Sequence, residues 1–264
     1  ADKSRGGPCD AAARRYGTTP GGQWVDWYRF DERFDVLKHP NESHRFGWVV
    51  EIDPMDPASP PIKRTALGRK CTESATCTLT RDGRVAVYMG DDARFEFIYK
   101  FVSRDRVRPG GYAANRDLLD HGTLYAARFD ASGQGAWLEL PNGDNGHADQ
   151  AEVLVHARLA ASARGATPMD RPEWVAIHPR TAEVFVSLTN NSQRGAPGRP
   201  AVDAANPRAN NLGGHIMRWT EAGADAAATT FTWSHFVLAG DPAVPGTDAR
   251  YPYPQADAFG APDG

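Results

Sequence analysis

The chain has 264 residues, of which 24% are charged and 41% hydrophobic, and its formal net charge is −3. This composition is ordinary for a globular protein, and the slight negative charge gives no reason to expect nucleic acid as a partner. No segment approaches the roughly 20 apolar residues needed to span a bilayer, so no membrane partner is expected.

The predicted elements begin after residues 1–45, a polar, glycine-rich stretch that predicts a loop-rich N-terminal segment. A strand is expected at 47–54, with its partner at 62–67. Asp82-Gly83 is a strong signal for a two-residue hairpin turn, and 95–102 continues as a strand.

The second half of the chain adds a hairpin over 123–140, an alanine-rich helix over 151–164 and two closing strands at 214–221 and 229–240. A long polar stretch at 193–211 is expected to bear function, because loops of this length are seldom simple connectors. The sequence therefore predicts an all-β protein, a partial β-propeller with long loops and a small helical insertion. It is expected to form a single, incomplete domain over residues 1–264.

Two strand–turn–strand units about 100 residues apart have the same plan, which suggests the blades of a propeller. The first runs from Glu73 to Asp91-Asp92, and the second runs from Glu173 to an asparagine pair at 190–191. In an antiparallel hairpin the start of the first strand lies opposite the end of the second. We therefore expect Glu73 to lie close to Asp91 and Asp92, and Glu173 close to the asparagine pair.

Carboxylates at equivalent ends of successive blades predict a metal site near the propeller axis. Their oxygens favour hard cations such as Ca²⁺, or iron and manganese if other ligands join. The alternative for Glu73 and Glu173 is that both are solvated carboxylates at strand edges. Asp91 and Asp92 either neutralise the same ion or cap the turn that follows.

Arg171 lies two residues before Glu173 and is suited to bind a phosphate group through two parallel hydrogen bonds. A structural ion pair with Glu173 or Asp170 is the alternative. The sequence contains no serine nucleophile elbow, no phosphate-binding P-loop and no dinucleotide fingerprint, so serine hydrolase, kinase and dinucleotide-binding interpretations lack support. Three cysteines without zinc-type spacing leave open whether Cys71 and Cys77 pair.

Several of these segments resemble the PhoX family of secreted alkaline phosphatases. The matching stretches are NESHRFGWVVEIDPMDP (41–57), KRTALGR (63–69), DGRVAVYMGDDARFEFIYKFVS (82–103), ATPMDRPEWVAIHP (166–179), LTNNS (188–192), VDAANPRANN (202–211) and GHIMRW (214–219). The resemblance implies a β-propeller enzyme that hydrolyses small phosphate monoesters with Ca²⁺ and Fe³⁺ in a central site. It also implies export to the periplasm or the medium, and we expect a monomer.

The resemblance carries over to individual residues. Glu73 takes the place of the acid in the family's KHEGAT segment, which reads KCTESAT here. Arg171 and Glu173 match the family's RPEWV segment as phosphate-contacting and metal-binding positions, so both are candidate catalytic residues. Asp263 matches the acid of its PDG segment, another implied metal ligand.

The chain also departs from the family. The flanking His and Gly of KHEGAT are Thr72 and Ser74, and the upstream PWGTWLTCEE pattern with its iron-binding cysteine is not found, since Cys9 lies in an unrelated context. This chain is therefore expected to be a fragment, and its activity by itself is left open by the sequence. Two alternatives remain: a calcium-binding propeller segment without catalysis, and a calcium-dependent propeller lactonase or esterase.

Overall fold

The computed structural model describes residues 10–18, 26–140, 148–244 and 247–250, so Cys9 and Asp263 lie outside the described residues. The strands are β1 (Val50–Glu51), β2 (Ile62–Lys63), β3 (Thr76–Leu79), β4 (Arg84–Gly90), β5 (Ile98–Arg106), β6 (Gly122–Phe129), β7 (Gln134–Glu139), β8 (Pro172–Ile177), β9 (Val184–Leu188), β10 (His215–Glu221) and β11 (Thr230–Leu238). The α-helices are α1 (Ala11–Arg15), α2 (Gly111–Asn115), α3 (Gln150–Val155) and α4 (Ala157–Ala163). Short 3₁₀ helices span Trp27–Arg29, Glu32–Phe34, Glu42–Arg45, Thr65–Leu67 and Ala222–Ala224.

Nine of the strands form one antiparallel sheet in the order β3-β4-β5-β6-β7-β11-β10-β9-β8. The predicted all-β class is confirmed. Strand β7 pairs with β11 and thereby joins the two halves of the sheet. The two ends of the order approach each other, since Thr76 of β3 donates a hydrogen bond to the carbonyl of Val175 on β8 at 2.6 Å. The sheet is therefore nearly closed.

The core consists of two clusters of buried side chains. One contains Phe97 together with Tyr99 and Phe101 of β5, against which the alanines of α4 pack. The other contains Trp137, Trp219, Phe231 and the valines of β8 and β9. Strand β10 alternates between buried and half-buried residues, as the period of two in a strand requires.

The predicted helix at 151–164 is two helices. Asp149 caps α3 by accepting a hydrogen bond from the Glu152 amide at 2.9 Å, and His156 then leaves helical geometry with φ −113° and ψ 39°. Helix α4 starts again at Ala157 and carries Arg158 into the interior, where its side chain is almost fully buried. The break at His156 thus places an arginine beneath the end of β4.

The long polar stretch at 193–211 is held against the sheet by buried arginines. Arg194 is 1% exposed, and Arg208 donates hydrogen bonds to the carbonyls of Ala239 at 2.6 Å and Thr247 at 2.8 Å. Buried backbone carbonyls need such partners, so the segment is a structural part of the fold as well as a connection. Among the described residues, no helix is both long enough and apolar enough to cross a membrane.

Candidate active site

The ends of the first repeat pair as predicted, so the backbone of Glu73 lies beside that of Asp91 and Asp92. The Glu73 amide donates a hydrogen bond to the Gly90 carbonyl at 3.3 Å, and Thr72 forms a β-bridge with Asp91. Because Gly90 ends β4 and Asp91-Asp92 follow directly, Glu73 lies beside this pair. The expectation from antiparallel pairing is confirmed.

The start of the second repeat packs against the first. The Ser74 hydroxyl donates to the Glu173 carbonyl at 3.2 Å and accepts from the Val175 amide at 2.9 Å. Gly90 lies so close that a Cβ atom there would be 2.3 Å from the Glu173 carbonyl oxygen and 2.6 Å from that of Pro172. The acid-bearing ends of the two repeats therefore meet at one place, which is the arrangement that a shared site requires.

Arg171 lies between two carboxylates at this junction. Its Nε and Nη2 donate to the two oxygens of Asp92 at 2.8 and 3.0 Å, and Nη2 lies 3.1 Å from Oε1 of Glu173. The ion pair with Glu173 that sequence reasoning offered as an alternative is thus present, and the Asp92 contact was not foreseen. Two parallel hydrogen bonds fix the plane of the guanidinium, while its side chain keeps 28% of its surface exposed.

The two strand-start glutamates differ in their surroundings. Glu173 is 3% exposed and pairs with Arg171, whereas Glu73 is exposed and its carboxylate makes no hydrogen bond or ion pair with the described residues. Carboxylate oxygens suit hard cations. Nowhere in the described part of the chain, however, do three or more His, Cys, Asp or Glu residues gather closely enough to hold a metal ion.

Asp91 binds a different arginine from the one that Asp92 binds. It is fully buried, and Arg158 donates to its two oxygens at 2.8 and 2.6 Å. The Cys71 amide donates to Oδ1 at 3.0 Å. The carboxylate thereby anchors the end of β4 to helix α4, and its assignment as a metal ligand stays a prediction. Arg158 was missed from the sequence because nothing in the alanine-rich helix marks it.

Asp170 is surrounded by polar side chains from the long loop. The Asn191 amide and the Arg194 Nε donate to its Oδ1, both at 2.9 Å, and Asn211 donates to its Oδ2 at 3.0 Å. Asn211 also contacts the ring of His215, whose pKa burial lowers well below its ordinary value. Asn191 of the asparagine pair is thus a buried donor to Asp170.

A cavity of about 530 Å³ opens beside Arg158 and is lined in part by Tyr16, Arg69 and Cys71. The Arg69 guanidinium stacks over the Tyr16 ring at 3.6 Å. Cys71 and Cys77 are both free thiols in the structure, which answers the open question about their pairing.

The antiparallel sheet is nearly closed, which makes this a propeller-like β-protein. An arginine lies among carboxylates at the ends of its strands, and this arrangement is a candidate anion-binding site. The chain belongs to the alkaline phosphatase PhoX family, which it matches over residues 1–264. The resemblance seen in the sequence is confirmed.

A solved structure agrees with this assignment. The chain is similar to Pseudomonas fluorescens PhoX in complex with vanadate, a transition state analogue, with 51% sequence identity and a TM-score of 0.91. The match covers 97% of this chain and 47% of that chain, so this chain spans about half the length of that protein. A comparison with curated proteins gives no match.

Proposed function

We propose that this chain forms part of the site of a metal-dependent phosphatase that hydrolyses small phosphate monoesters. The observation that carries the proposal is Arg171, held by Asp92 and Glu173 where the two repeats meet. The similar Pseudomonas fluorescens protein was solved with vanadate, a transition state analogue. We further propose Ca²⁺ and Fe³⁺ as its metals, export to the periplasm or the medium, and a monomeric state.

Arg171 is the group that binds the phosphate in this proposal. A guanidinium is planar and matches two phosphate oxygens, and it stabilises the negative charge of the transferring group. Asp92 already fixes its orientation, so little side-chain freedom is lost when the substrate binds. Its partial exposure leaves it accessible from solvent.

The charge balance of the site favours metal ions. Asp92 and Glu173 together outweigh the single positive charge of Arg171, and Glu73 adds another carboxylate next to them. A phosphate dianion would be repelled there unless cations compensated these charges. Glu73, Glu173 and Asp263 are the residues that we propose to hold the metals.

Bound cations would polarise the phosphorus–oxygen bonds and favour attack by an oxygen nucleophile. Of the proposed ligands, Glu173 is positioned by its ion pair with Arg171, and Glu73 is exposed towards solvent. Asp92 orients Arg171, and Asp91 anchors the strand that carries Asp92.

The test is hydrolysis of p-nitrophenyl phosphate by the purified chain at alkaline pH, with and without Ca²⁺ and with metal analysis of the same sample. Arg171→Lys should lower kcat/KM by roughly 10- to 100-fold, because an ammonium group cannot form the paired hydrogen bonds. Glu173→Gln should lower both turnover and metal content. Glu183→Gln is the matched control, since Glu183 pairs with Arg218 at the opposite end of its hairpin.

Wild-type turnover and metal content in Glu173→Gln would contradict the assignment. Hydrolysis of an aryl lactone in preference to the aryl phosphate would indicate the lactonase alternative. Ca²⁺ binding without hydrolysis of either compound would indicate a non-catalytic, metal-binding segment.

A further inference from the structure

Asp170 directly precedes Arg171 and is fully buried. Its carboxylate accepts hydrogen bonds from Asn191, Arg194 and Asn211, all of which lie between β9 and β10. Arg194 is itself buried and also donates to the carbonyl of Pro168 at 2.7 Å. The segment that leads into Arg171 is therefore tied to the loop through one carboxylate.

The backbone at Arg171 needs such support. Its φ of +53° lies in the left-handed region, which is unfavourable for a residue with a side chain. Conformations of this kind persist only where the surrounding structure holds them. On either side, the Phe95 amide donates to the Met169 carbonyl at 2.9 Å and the Thr189 amide donates to the Arg171 carbonyl at 3.3 Å.

The Asp170–Arg194 pair is not explained by stability alone. Both side chains are inaccessible to solvent. The free energy needed to remove two charges from water cancels much of the free energy gained from their attraction. An apolar pair of similar volume would serve packing at least as well. A charged carboxylate with three donors does, however, define the position of its own backbone closely, which matters for the residue that follows.

We propose that Asp170 is a positioning residue for phosphate binding: its hydrogen bonds to the loop fix the strained backbone of Arg171, so that the guanidinium meets Asp92 and the phosphate. The inference rests on the proposed function, because it gives a role to Asp170 only if Arg171 binds phosphate. Asp170 itself touches no substrate in this scheme. The loop at 193–211 acquires a function as the support of the site.

The experiment compares Asp170→Asn with Arg171→Ala and with the double variant, using p-nitrophenyl phosphate as substrate. Asp170→Asn should lower kcat/KM by roughly 10- to 100-fold and weaken inhibition by inorganic phosphate. In the Arg171→Ala background the same change should cost almost nothing more, because the two residues act as a unit. Glu221→Gln is the matched control, since Glu221 is a buried carboxylate hydrogen-bonded to Tyr88 and Trp137.

Amide hydrogen exchange provides a readout that does not depend on activity. The Thr189 and Phe95 amides should exchange faster in Asp170→Asn than in wild type, and their rates should not change in Glu221→Gln. If Asp170→Asn does not fold, Asn191→Ser removes a single donor to the same carboxylate and takes its place.

Three results have distinct meanings. Losses that add in the double variant would overturn the proposal, as would unchanged exchange at Thr189 and Phe95. A wild-type chain that hydrolyses no phosphate ester would instead refute the proposed function, and the exchange rates would still decide whether Asp170 fixes the backbone of Arg171.

Discussion

Gly90→Ala is the substitution that most directly tests whether the meeting of the two repeats builds the site. The added Cβ would lie 2.3 Å from the Glu173 carbonyl oxygen, about 1 Å inside van der Waals contact, and the other close atoms belong to the backbone of Pro172. Backbone atoms cannot rotate away, so β4 and the start of β8 must separate. A displacement of this size should lower kcat/KM for an aryl phosphate by about 100-fold.

The same overpacking should also destabilise the fold by about 1–3 kcal/mol, so activity needs a control for stability. Gly122→Ala supplies it: its Cβ would lie 2.3 Å from the Val102 carbonyl oxygen, on β6 and away from the junction. Both variants should unfold at lower urea concentration than wild type, and only Gly90→Ala should lose kcat/KM when assayed well below its unfolding transition. If Gly90→Ala kept wild-type kcat/KM while losing stability, the junction would not control the chemistry.

Two further predictions concern buried charges. Asp91→Asn and Arg158→Met should each lower the free energy of unfolding in urea by about 3–5 kcal/mol, because each removes one partner of a buried ion pair joined by two hydrogen bonds, and the double variant should cost less than the sum. Burial lowers the pKa of Lys70 to about 7, so between about pH 7 and pH 9 the unfolded chain binds a proton that the folded chain has released. Wild-type stability should therefore rise by about 2 kcal/mol relative to Lys70→Met over this range, and a constant difference would contradict the burial argument.

Local pairing was the part of the fold most readily predicted from the sequence. Asp82-Gly83 lies in the turn between β3 and β4, but three residues and not the predicted two separate Thr80 from Arg84, whose backbones are hydrogen-bonded. The alternation of buried residues in β10 follows the pattern of its side chains. The pairing of β7 with β11 could not be predicted in this way, because it joins Ala136 to Thr230 and depends on how distant faces pack. The break in the helix at His156 was also hidden, since the alanine-rich pattern continues through it.

The candidate site, like the fold, could be predicted from the sequence only in part. Glu73 and Glu173 were found because the repeat places them at equivalent strand starts, and Arg171 because it stands close to Glu173 in the sequence. The arginines that bind the neighbouring carboxylates come from elsewhere: Arg158 of helix α4 binds Asp91, and Arg194 of the long loop binds Asp170. Single buried arginines carry no periodic signal, so only the folded structure reveals which carboxylate each one binds.

Arg171 is constrained from both ends of its side chain. Asp92 fixes the guanidinium, and Asp170 lies in the network that holds the backbone before it. Glu73 has no comparable support among the described residues. In the proposed function the anion-binding half of the site is thus built by the described part of this chain, whereas metal coordination needs donors beyond it. Loss of the metals should therefore weaken phosphate binding as well as hydrolysis, since Arg171 keeps its position but its two carboxylate partners then repel the dianion.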